Sequence, residues 1–299
     1  MVRLAVAIGL LALAAPDVAW AHAKPVPPDE LASHWGAPPA VLAVAALAVL
    51  LFAQAAMRLR RRGRPDLAPW SRWALFAAGL ALVTLPLVSP LDGVADRYLL
   101  SAHMLQHVLI GDAGAALLVL AVRGPLVFFL LPAPVLRRLA PARSVFGVLL
   151  RPGVAFAAWV AAFGGWHFPA AYDYTLLHSW AHELEHVTFV LAGTLAWLQI
   201  VDPARRGRLT RGGRALFAFG LFAFGQAIAT ALLVSRAPAY EVYAAQAHRV
   251  FGLSPLTDQR LAAAVMFAEQ AVTVGAALVI LLRPYLAVAP RPVLKARSG

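Results

Sequence analysis

The chain has 299 residues, of which 61% are hydrophobic and only 13% charged, with a mean hydropathy of +0.73. A typical soluble domain carries about a quarter charged residues, and a chain of this length has too little interior to hide so much apolar surface, so a soluble enzyme and a disordered chain are both excluded. An outer-membrane barrel would show ~10-residue alternating segments. This sequence instead has long unbroken apolar runs, which read as membrane-spanning helices. The net charge of +12 does not indicate nucleic acid, because the arginines sit in short clusters between those runs. There is no cysteine, which excludes disulfides, thiolate zinc sites and CxxC copper motifs and leaves any metal to His, Met, Asp or Glu.

In chain order, residues 1–21 read as a signal peptide, with Arg3 as the basic start, Leu4–Ala15 as the apolar core and Ala19-Trp20-Ala21 as the small-x-small cleavage site. Residues 22–37 form a Pro-rich external segment. Seven apolar runs follow, at 38–57, 73–89, 98–121, 153–167, 180–201, 214–234 and 259–282. Each is near the ~20 residues a bilayer core requires, the fourth being the shortest. The expected fold class is all-α, a polytopic bundle of seven transmembrane helices over residues 38–285, with a cytoplasmic tail at 286–299. The apolar stretch Pro125–Leu139, interrupted by Pro132 and Pro134, reads as a half-span or an interfacial helix.

Orientation follows from the basic residues. With residue 22 outside, 20 Lys and Arg fall on the inner side, clustered at 58–72, 123–151, 205–214 and in the tail, against 5 outside. The positive-inside rule then places the N-terminus outside and the C-terminus in the cytoplasm. All nine histidines fall on the outer side in that topology, although the arginine count made no use of them.

Their spacing carries chemistry. His103 and His107 are i and i+4, so they share a helix face about 6 Å apart. His178, His182 and His186 continue the same spacing, a stripe if the helix begins that early, and His167 ends the fourth run. Two imidazoles so placed can chelate one ion at about 2.0 Å, and neutral imidazole suits zinc, copper, iron and nickel, with copper held most tightly among divalent ions. Ionisable groups at membrane depth are usually functional. Asp92, Asp96, Asp173, Glu183, Glu185 and Asp258 lie at the same level and can orient imidazoles as hydrogen-bond acceptors, Glu185 also as a direct ligand. Asp112 and Glu269 sit deeper, where a carboxylate serves a proton or cation route or bridges helices. Met104 and Met266 are candidate thioether ligands, with packing the commoner role. His182-Glu183-Leu184-Glu185-His186 also matches H-E-x-x-H, in which Glu would be the general base of a zinc protease.

Ser89-Pro90-Leu91-Asp92, then Ser101-Ala102-His103-Met104-Leu105-Gln106-His107, resemble the CtaG-like family of multi-span cytochrome c oxidase assembly factors. So do Trp166-His167-Phe168-Pro169 with Tyr172-Asp173, the His182 and Glu185-His186 group, and Pro255-Leu256-Thr257-Asp258-Gln259-Arg260-Leu261 with Met266. The blocks stand in family order over roughly residues 35–285. The resemblance implies a non-enzymatic role in oxidase assembly at the copper-acquisition step in a bacterial plasma membrane. It carries over His103, His107, His167, His182 and His186 as the family-like histidines, which are the expected metal ligands; Asp92, Asp173, Glu185 and Asp258, by their level, and His178 are expected as supporting or alternative ligands. Copper is the expected cofactor, and the implied partners are oxidase subunits, external copper chaperones and membrane lipid. The loop near Tyr240–Arg249 departs from the family pattern. Three rival classes remain: a transporter of copper or protons using Asp112 and Glu269, an HExxH membrane metalloprotease, and a metal-free scaffold.

The topology is directly testable. A reporter fused near His248 should be active only on the external side, and one fused after Arg297 only in the cytoplasm; the reverse pattern at either site would undo the placement of the histidines as well.

Overall fold

The structure is a computed structural model that describes residue 27 and residues 29–286. The expected signal peptide and all but the first residue of the expected tail lie outside the described residues. Every regular element among the described residues is helical. The helices are α1 (Pro39–Arg61), α2 (Trp70–Val88), α3 (Pro90–Arg97), α4 (Leu100–Ala121), α5 (Ala133–Arg138), α6 (Arg143–Leu149), α7 (Pro152–Trp166), α8 (Pro169–Leu177), α9 (Ser179–Val201), α10 (Arg211–Val234), α11 (Glu241–Ala244) and α12 (Pro255–Leu286). Several open on proline, at Pro39, Pro90, Pro152, Pro169 and Pro255. A first-turn N–H has no intrahelical partner, so its loss there carries no penalty.

Six helices, α1, α2 with the turn before it, α4, α9, α10 and α12, are each long and apolar enough to cross a membrane. The fourth of the seven expected spans is not a single helix. α6 and α7 reach the required length only together, and they are bent by 71°. Arg151 is extended (φ −70°, ψ 134°) ahead of Pro152, because proline disfavours a helical residue before it. α7 alone has 15 residues, about 22 Å of helix against a core of roughly 30 Å.

The stretch 125–139 forms a 3-10 turn at Gly124–Phe128 followed by the short α5. Leu126 and Val127 are fully buried there. Non-helical backbone at such depth requires partners for its carbonyls, and α1 supplies them. Gln54 Nε2 donates to Leu130 O at 2.6 Å, and Arg58 Nη1 to Phe129 O at 3.3 Å and Leu131 O at 3.4 Å.

α9 lies at the centre, packed against α4, α7, α8 and α10, while α12 packs on α10 and on the first half of α4. Span three is interrupted by a π turn at Leu109–Ala113, and α9 crosses it at glycine. A Cβ built on Gly193 would lie 1.6 Å from the Gly111 carbonyl oxygen, and one on Gly111 would meet Phe189 Cβ at 3.1 Å. Only glycine allows this approach, which fits the general use of small residues where membrane helices pack.

Gly193→Ala should therefore be severe. Forced overpacking costs typically 1–3 kcal/mol, sometimes more, and here the obstacle is backbone. The variant should melt well below the parent in detergent, whereas Gly165→Ala, with open space around its Cβ, should melt with it; equal midpoints for both variants would contradict the close crossing.

Candidate metal centre

The crossing brings the first turns of α4 and α9 together. One ring nitrogen from each of His103, His107, His182 and His186 lies within 4.8 Å of the others. His103 is fully buried, His107 and His182 nearly so, and His186 partly. His103 Nε2 stands 2.8 Å from His107 Nε2 and 3.3 Å from His182 Nε2. His186 Nε2 is buried without a hydrogen-bond partner.

The outward-facing nitrogens explain how the inner ones present themselves. The Tyr243 hydroxyl donates to the Ala95 carbonyl. It therefore accepts from His103 Nδ1, 2.7 Å away. His182 Nδ1 lies 3.2 Å from Asp96 Oδ1, a carboxylate whose charge favours a proton on that nitrogen. The His103 ring thus directs its Nε2 lone pair inward, and the Asp96 carboxylate favours the same tautomer in His182. Two acceptors 3.3 Å apart repel unless a cation or proton lies between them. His107 Nδ1 faces Glu185 Oε1 at 3.8 Å, too long for a hydrogen bond, and Glu185 itself is fully buried.

The donor set fits a metal ion. Nitrogens bound at 2.0–2.1 Å stand roughly 3.4 Å apart in a tetrahedron. The His103 contacts, at 2.8 and 3.3 Å, are already at or inside that spacing, and the wider pairs are within reach of side-chain rotation. Four neutral imidazoles without thiolate suit copper or zinc.

The other expected residues are distributed around this quartet. His167 is not among the four. Its Nδ1 donates to Phe163 O at 2.6 Å, and its Nε2 is buried and unpartnered. His178 is extended (φ −133°, ψ 107°) and precedes α9, stacked on Tyr174 at 3.9 Å, so it lies off the stripe. Asp258 serves backbone: its carboxylate accepts from Leu100 N–H at 2.7 Å and Ser101 N–H at 3.1 Å, capping α4 from a distant helix. Asp173 does the same for α11, accepting from Glu241 N–H and Val242 N–H at 3.1 Å each. Asp92 accepts from Gln106 Nε2 at 2.7 Å. Met104 and Met266 are buried within one apolar cluster with Leu100, Val108, Tyr172 and Tyr243.

Asp112 accepts hydrogen bonds from Trp197 Nε1 and Thr273 Oγ1 and faces the Glu269 carboxyl, so this pair links spans three, five and seven. Sequence reasoning missed Tyr243 altogether. Burial, with Asp96 and Asp258 nearby, pushes its phenol well above the usual value, so the hydroxyl stays protonated.

A family model described as cytochrome c oxidase caa3 assembly factor (Caa3_CtaG) matches residues 50–287. The chain belongs to this family. The Caa3_CtaG match spans α2 through α12 and most of α1, and so includes every member of the quartet. No curated protein and no solved structure matches the chain. Membership in Caa3_CtaG makes cytochrome c oxidase assembly the setting in which the quartet is to be understood.

Proposed function

We propose that the chain holds copper at the external face of a bacterial plasma membrane and passes it to cytochrome c oxidase during assembly. The observation that carries the reading is the convergence of four histidines from two helices, with the His103 ring oriented by Tyr243 and His182 facing the Asp96 carboxylate. Copper here is cargo and not a resident cofactor. Nitrogen-only ligation suits a donor, because imidazoles can be exchanged one at a time for ligands of the client, whereas a closed thiolate site holds its ion more firmly. Oxidase subunits are the client, and external copper chaperones are a natural source.

The rival readings fit the geometry less well. A catalytic zinc site keeps three protein ligands and an open position for water. Here His182 and His186 share their centre with two further histidines, which fills a four-coordinate sphere and leaves Glu183 no water to activate. Asp112 is tied to Trp197 and Thr273, which suits a fixed bridge between helices better than a conducting path.

His103→Ala or His186→Ala should leave protein levels normal but strip membranes of most oxidase activity, with partial rescue by added copper. Changes to groups behind metal ligands cost roughly 10–100-fold in affinity, and loss of a ligand should be at least as damaging. Glu183→Gln should be far milder. Oxidase activity and copper content of the membranes decide it: equal damage from Glu183→Gln and His186→Ala, without copper rescue, would return the case to the protease.

A further inference from the structure

The loop between α10 and α12 reaches back over the quartet. Its short helix α11 carries Tyr243 inward until the side chain is only 3% exposed. Two helices and the loop itself fix where that hydroxyl lies. Asp173 of α8 caps the start of α11. Arg249 closes its end, donating to Tyr243 O at 3.0 Å and Ala244 O at 2.7 Å. Gln246 Nε2 donates to Arg97 O at the end of α3, at 2.7 Å. The hydroxyl proton is committed to Ala95 O in α3, so only lone pairs remain for His103.

We propose that Tyr243 is a positioning residue for the histidine quartet, which acts through its hydroxyl to hold His103 in the tautomer that turns Nε2 toward the ion. The inference rests on the reading of the quartet as a metal site. Without the hydroxyl, His103 Nδ1 loses its 2.7 Å acceptor and keeps at most the Ala95 carbonyl, so the ring is freer to carry its proton on Nε2. That proton would point at His107 Nε2 and His182 Nε2, where an ion has to sit. Partners of this kind, which fix the ring and tautomer of a ligating histidine, typically contribute 10–100-fold to metal affinity. A ring that served only as packing would contribute nothing beyond its area, and Phe would supply that area equally well.

Tyr243→Phe keeps the ring and removes the oxygen. Tyr240→Phe is the matched control, since its hydroxyl donates to the His167 carbonyl at 3.2 Å and does not touch the quartet. Purified full-length protein in detergent would be titrated with Co2+, which takes the same nitrogen ligands and gives a visible spectrum sensitive to their number and geometry. Tyr243→Phe should bind one Co2+ per chain, 10–100-fold more weakly than the parent and with a shifted spectrum. Tyr240→Phe should keep the parental spectrum and an affinity within about threefold. If Tyr243→Phe matches Tyr240→Phe in both, while His103→Ala abolishes binding, the positioning role is wrong and the metal site stands. If the parent itself takes up no Co2+ and no copper, both fall together.

Discussion

The arrangement depends on one close contact, the crossing of spans three and five at Gly111 and Gly193. Lipid gives membrane helices no hydrophobic reason to associate, so contact distance and polar bonds decide which faces meet. Here the two backbones touch, with a carbonyl of one helix where a side chain of the other would otherwise be. Both helices run in the same direction through the bundle, and each begins its histidine pair roughly two to three turns before its glycine. Bringing the glycines together therefore brings the pairs together. The π turn at Leu109–Ala113 lies at the same level, and such a turn rotates the histidine-bearing half of α4 relative to its deeper half. π turns of this kind recur at functional sites.

Around that contact the polar groups fall into two ranks. The imidazoles form the inner rank, with lone pairs directed at a shared centre. The outer rank consists of groups that hold either an imidazole or a helix end: Tyr243 on His103, Asp96 on His182, Asp258 on the start of α4, Asp173 on the start of α11. Burying an unpaired polar group costs about 1–3 kcal/mol, so a site with this many buried groups is stable only if most have a defined partner. The long-range hydrogen bonds supply many of those partners by joining parts of the chain far apart in sequence, such as Asp258 with Leu100 or Tyr243 with Ala95, while the nitrogens His107 Nδ1, His167 Nε2 and His186 Nε2 stay without a hydrogen bond.

Much of this was legible in the sequence. Hydropathy gave the spans, and i, i+4 spacing gave both histidine pairs, because each pair lies on one helix and local periodicity reports local geometry. Non-local features were hidden. Nothing in the residues around Tyr243 distinguishes a buried tyrosine that touches a histidine 140 positions away from one at a membrane interface. Asp258 and Asp173 were recognised as belonging to the site level, but their role as caps depends on which helix end lies opposite. His178 continued the stripe on paper and fails to join it because α9 starts one residue later. His167 falls just past the end of α7, where the chain turns, so it borders the quartet without entering it. The fourth span met the same limit: the run 153–167 is helical as α7 but short, and the α6 segment that would lengthen it is bent away by 71° ahead of Pro152.

The central claim is that copper is held by imidazole nitrogens from α4 and α9 alone. X-ray absorption at the copper edge on the purified, copper-loaded protein tests it most directly. The account predicts a first shell of nitrogen near 2.0 Å with the outer-shell pattern of imidazole rings, and no sulfur. A sulfur scatterer at about 2.3 Å, which would have to come from a methionine such as Met104 or Met266, or a shell of oxygen without imidazole, would contradict it.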